Sequence, residues 1–105
     1  MYVRLVTFGI TVPEEAYAAH AEAVAPAFAD WPGLLGKWWL ADADRGTYGG
    51  VYLFTDRAAA DRSRDTDTFR AMTDSPALTG ITVREFDVLA APTAVTAPDL
   101  VAVAR

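Results

Sequence analysis

No cysteine occurs anywhere in the chain, so disulfides, thiolate metal ligands and cysteine nucleophiles are all excluded. Asparagine and glutamine are missing as well, and His20 is the single histidine. Basic residues number 9 against 14 acids, a formal net charge of -5. That balance opposes a phosphate backbone, where affinity comes from Lys and Arg displacing counterions, so no nucleic-acid partner is expected. No apolar run approaches the roughly 18 residues that span a bilayer. The start, Met1-Tyr2-Val3-Arg4, leads directly into alternating residues rather than a secretory leader. The expectation is a soluble, cytoplasmic protein with no membrane partner.

What is present suffices for one core. The chain has 105 residues, 52% apolar and 22% charged, which fits a single folded domain. Tyr2 to Phe8 is β-branched and aromatic with rough alternation and stops at Gly9, a strand pattern. Thr11-Val12-Pro13-Glu14 has the hydroxyl, early proline and later acid of a helix start, and a helix is predicted over about 13–29. On it Tyr17, Val24, Phe28 and Trp31 form one stripe beside Ala16 and His20. Further strands are predicted over 34–41 and 47–55, joined by the polar turn Asp42 to Gly46, and over 81–89. Asp56 caps a second helix expected to reach about Arg70, followed by a helical turn and a connector. The tail from Ala90, with Pro92 and Pro98, is expected to be extended or irregular, with a weak strand or helix over 100–104.

The order strand, helix, strand, strand, helix, strand is the split βαβ pattern of an α+β, ferredoxin-like βαββαβ sandwich. Two helices cover only one face of four strands. Alternation separates Tyr2, Arg4, Val6, Phe8, Tyr52 and Phe54 from Val3, Leu5, Val51 and Leu53. The smaller aliphatic set, with Ile81 and Val83, suits packing under helices. The aromatic set, with Thr82, Arg84, Phe86 and Val88, is then expected on the uncovered face, where a patch of that size marks an interface or ligand site. Trp38 and Trp39 point opposite ways, and their assignment depends on register.

Pro32-Gly33-Leu34-Leu35, Lys37, Trp39 and Gly49-Gly50-Val51-Tyr52-Leu53-Phe54-Thr55-Asp56 resemble the signature of the YdhR-like mono-oxygenase family, within the dimeric α+β barrel superfamily. The resemblance covers about residues 2–90 and is most specific from Pro32 to Asp56. It implies a ferredoxin-like protomer that pairs sheet to sheet as a homodimer and carries out oxygenation with no prosthetic group; the domain is expected over 1–90, with residues 91–105 a C-terminal tail whose packing on the partner is left open, and no metal is expected. Members often carry an acid two positions after the tryptophan, where this chain has Ala41 followed by Asp42. Related barrels that degrade haem use an asparagine, which this chain lacks.

Oxygenation without a cofactor needs an electron-rich phenolate or enolate, so the protein must hold an anion and exclude water. Arg4 and Arg84 are the candidate anion holders, unless they pair with acids across the dimer or reach solvent. His20 is the candidate base, because imidazole ordinarily exchanges a proton near neutrality; the competing role is a histidine capping or filling the helix–sheet layer. Tyr52 and Tyr48 could donate to an oxyanion or simply bury their rings. Trp38, Trp39, Phe54 and Phe86 fit cavity walls or core. Asp42 and Asp44 sit at a loop tip with no histidine nearby, which argues against a metal. The partner is thus a small hydrophobic or aromatic molecule. The same pocket would also serve cyclisation or isomerisation, or non-catalytic binding in a stress response.

Overall fold

The computed structural model describes residues 1–103 and is built as β1 (Tyr2–Ile10), α1 (Glu14–Ala29), β2 (Leu34–Asp42), β3 (Thr47–Phe54), α2 (Arg57–Ser63), α3 (Asp67–Asp74), β4 (Leu78–Asp87), α4 (Ala90–Thr96) and α5 (Pro98–Val103). One antiparallel sheet in the order β2-β3-β1-β4 carries α1, α2 and α3 on one face. This is the α+β ferredoxin-like fold.

Local chemistry explains most boundaries. Glu14 and Glu15 place negative charge at the α1 N-terminus, where the helix dipole favours it. The turn after α1 needs Gly33, whose φ of 83° belongs to glycine and whose Cα faces Ala59 so closely that a Cβ would overlap that side chain. The Asp56 carboxylate accepts from the Ala59 N–H at 2.8 Å and starts α2.

The second helix is shorter than the sequence predicts. It breaks after Ser63 because the Thr66 hydroxyl donates to the Ser63 carbonyl at 2.6 Å and accepts from the Phe69 N–H at 3.1 Å, capping α3 afresh. The tail is helical rather than extended or irregular from Ala90: Pro92 sits in the first turn of α4 and Pro98 opens α5, positions that need no backbone donor, and α5 meets the helix allowed from Leu100 as far as Val103. Of the segment 100–104, Ala104 lies outside the described residues.

The faces of β1 and β3 are the reverse of the expectation. Tyr2, Arg4, Val6, Phe8, Tyr48, Tyr52 and Phe54 are buried under the helices with Phe28, Trp31 and Phe69. The reason is volume. The helices present small side chains to the sheet, among them Ala59, Ala60 and Ser63 of α2, so bulk must rise from the strands to reach close packing. Register then assigns the rest: Arg4 pairs with Tyr52 and Glu85, and Tyr52 with Lys37, all on the helix side. Val3, Leu5, Val51, Trp38, Arg84 and Phe86 share the open face, with Trp38 54% and Phe86 46% exposed.

Candidate active site

A cavity of about 520 Å³ lies on the helix side of the sheet, between α1 and α3. Phe8, Lys37 and Trp39 reach it from the strands, Tyr17 and His20 from α1, and Met72 from α3. Each follows from periodicity: Lys37 and Trp39 alternate onto the helix side of β2, while Tyr17 and His20 are three apart on α1 and so lie on one flank. The walls are mainly apolar, as in sites for small organic ligands.

Lys37 is the polar centre of this cavity and the chain's single lysine. Its Nζ lies 3.3 Å from the ring centroid of Trp39, 3.6 Å from Phe28 and 4.5 Å from Tyr52. Among the described residues no carboxylate or carbonyl partners it. Ring faces favour a cation, but loss of water disfavours it more strongly, and burial lowers the amine from its ordinary value of 10.5 to about 7. An amine so placed exchanges a proton near neutrality. Tyr17 adds a second polar group, its buried hydroxyl having no partner among the described residues. Desolvation, then the neighbouring Tyr48, raises the Tyr17 pKa.

The sequence-predicted site residues fall into two groups. His20 and Trp39 line the cavity. Tyr52 lies beneath it, almost wholly buried, donating to Met72 Sδ at 3.6 Å; desolvation raises its pKa far enough to keep the phenol neutral. Phe54 is packed in the core against Trp31 and Tyr52. Trp38, Phe86 and Arg84 stand on the opposite face of the sheet, Arg84 lying 5.4 Å from the Phe86 ring. Tyr48 lines a second hollow of about 580 Å³ on the other flank of α1, together with Glu14, Glu15 and Glu22. Tyr17 and Trp39 border both hollows.

Arg4, expected to hold an anion, is fully committed elsewhere. With no exposed surface, it donates from Nε to Glu85 at 2.7 Å, from Nη1 to Ser63 Oγ at 2.8 Å and from Nη2 to the Ala60 carbonyl at 2.7 Å. Phe54 and Phe69 lie 5.0 and 5.2 Å from its guanidinium carbon. With no surface exposed, it offers a ligand no N–H to reach, and the pairing that competes for such arginines is made within one chain. Lys37 and Tyr17, by contrast, carried signals that strand and helix patterns alone did not resolve. Lys37 belongs to the signature quoted above, and Tyr17 to the inner stripe of α1.

Among the described residues there is no cluster of three or more histidines and acids able to hold a metal ion, and no helix long and apolar enough to cross a membrane. Residues 4–98 match the family described as "Putative mono-oxygenase ydhR". No curated protein matches the chain. Several solved structures share the fold. SnoaB, a cofactor-independent oxygenase from Streptomyces nogalater, is 20% identical with a TM-score of 0.70 over 84% of this chain and 92% of its own. A putative antibiotic biosynthesis monooxygenase from Deinococcus radiodurans is 13% identical with a TM-score of 0.71 over 84% of this chain and 92% of its own. A MhuD variant carrying two manganese protoporphyrin IX groups per active site is 20% identical with a TM-score of 0.65 over 85% and 95%. The family match spans nearly the whole chain, and the chain belongs to the ydhR mono-oxygenase family.

Proposed function

We propose that this member of the ydhR family is a cofactor-independent monooxygenase acting on a small aromatic or polyketide-like compound bound between α1 and α3. The observation that carries the reading is an apolar cavity of about 520 Å³ whose strand side holds an unpaired amine among aromatic rings. An electron-rich anion can pass electrons to dioxygen itself. One oxygen atom then enters the substrate, and the other leaves as water with two substrate hydrogens. The protein's part is to position the ring, stabilise its charge and exclude water. His20 stands at the same cavity.

The open sheet face supports a homodimer. Trp38 and Phe86 are large, exposed and surrounded by Val3, Leu5 and Val51, a patch that a second copy would cover. Leu89, Val95 and Leu100 of the tail are also exposed and would pack on that copy.

Oxygen uptake tests the reading. Purified, metal-free protein supplied with an electron-rich phenol should consume dioxygen and yield a product that has gained one oxygen atom and lost two hydrogens. A product of unchanged mass would make the chemistry cyclisation or isomerisation, and tight binding without turnover across a panel of phenols would make the cavity a binding site only.

A further inference from the structure

We propose that Lys37 is a catalytic residue: its neutral amine takes the proton from a phenolic or enolic hydroxyl of the ligand, and the resulting ammonium remains as the counter-ion of the anion. The assignment deepens the monooxygenase reading and rests on it for the identity of the ligand. No bond other than O–H and N–H changes. The proton passes from substrate oxygen to Nζ, the electron pair stays on oxygen, and no oxidant is needed until dioxygen arrives.

Three observations carry this. Lys37 is the only residue with a basic amine or guanidinium among those lining the cavity, since Arg4 is bound to Glu85 and Arg84 is on the far face. Its Nζ sits 3.3 to 4.5 Å from three ring centroids and meets no acceptor among the described residues. An ammonium there lacks an anion, and a ligand oxygen entering the cavity supplies one. Finally, the same rings give an aromatic ligand surfaces to stack on, which would bring its hydroxyl beside the amine.

Other charged and titratable groups face this space from each neighbouring element: Tyr17 and His20 from α1, Asp67 from α3, and Tyr52 from β3. Tyr52 stays neutral and Tyr17 is raised, so neither phenol competes as a base. The lowered amine, near 7, is free to accept a proton at physiological pH.

Because the chain has one lysine, protein labelled with ¹³C at lysine Cε gives a single side-chain signal. At about pH 8.5 the free protein should show the amine form, and adding 2-naphthol, a phenol whose hydroxyl is still largely protonated in water at that pH, should move the signal to the ammonium form while the near-ultraviolet phenolate band appears in the complex. Lys37→Met should bind the phenol with a phenolate-to-phenol ratio roughly tenfold lower or more. Lys37→Arg, a fixed cation, should keep the phenolate band but release one proton to the buffer per phenol bound, whereas the wild type releases none. A lysine signal unmoved by the phenol, a phenol that stays protonated or does not bind, or a Lys37→Met complex as rich in phenolate as the wild type overturns the assignment. Oxygen uptake separates the two claims. Proton transfer without oxygen uptake retains Lys37 as the base and removes the monooxygenase, and uptake without proton transfer does the reverse.

Discussion

Arg4 and Glu85 face each other across the paired strands β1 and β4, the guanidinium Nε donating to the carboxylate at 2.7 Å. The pair is unequal. Glu85 has a second cation, Arg64, at 3.1 Å on its solvent side, while Arg4 has no exposed surface and no other anion among the described residues.

Removing the acid should therefore hurt more than removing the base. Glu85→Gln leaves a buried guanidinium uncompensated and should cost about 3–5 kcal/mol. Arg4→Met fills the same space and leaves Glu85 with Arg64, so its cost should be smaller. Urea midpoints at neutral pH measure the difference, and equal losses would contradict the asymmetry.

The same carboxylate sets an acid limit. Desolvation pushes the Glu85 pKa up, but the hydrogen bond and charge of Arg4, aided by Arg64, pull it further down, and the net shift is downward. Its stabilisation is complete above the ordinary carboxylate range and is lost as pH falls through the depressed folded value. Thermal unfolding followed from neutral to acid pH should show a steeper decline in wild type than in Glu85→Gln.

Lys37 gives a slope of the same sign from the opposite cause, its charge being a cost to the fold rather than a support. Below about pH 7 the amine is charged in both folded and unfolded chains, and the folded one carries the full desolvation cost. Between about 7 and 10.5 the unfolded chain holds the extra proton, so stability climbs with pH. Lys37→Met should accordingly stabilise the fold at about pH 6, by about 1–4 kcal/mol, and the gain should shrink toward pH 10. A gain independent of pH would show that packing, not charge, is responsible.

Gly49 allows β3 to approach β1. Its φ is 153°, and a Cβ there would overlap the carbonyl oxygen of Val6. Gly49→Ala should cost about 3 kcal/mol or more, readable as a lowered denaturation midpoint, whereas Gly36→Ala, in open space, should cost far less.

On the open face, Trp38→Glu or Phe86→Glu should turn a dimer into monomers at micromolar concentration, read by sedimentation, with little change in naphthol affinity because both residues are across the sheet from the cavity. Wild-type protein that sediments as a monomer would remove the second copy from the proposal.

The strand and helix order was legible because alternation and turn residues mark it, from Tyr2 to Gly9 and through the Asp42 to Gly46 hairpin. The break at Thr66 was not, since charges run across it and a threonine's cap depends on where its hydroxyl turns. The facing of β1 and β3 was hidden for another reason. Both sets of side chains are largely apolar, so hydrophobicity cannot choose between them, and the choice falls to the alanines of α2 that meet them. Spacing on α1 set His20 on the inner stripe, whereas the side taken by Trp39 waited on the register of β2 with β3, and a lone lysine on an edge strand reads as a solvated residue until the rings around it are seen. Arg4 misled because a buried pair and a ligand clamp use the same residue type.

The three tryptophans stand in three different settings. Trp31 is packed in the core, Trp39 borders Lys37 at the cavity, and Trp38 stands on the open face. Each indole is thus an optical probe of a separate event: unfolding for Trp31, occupancy for Trp39, and contact with another subunit for Trp38. Variants keeping one indole apiece would let the three processes be timed independently by emission alone, with no dye attached.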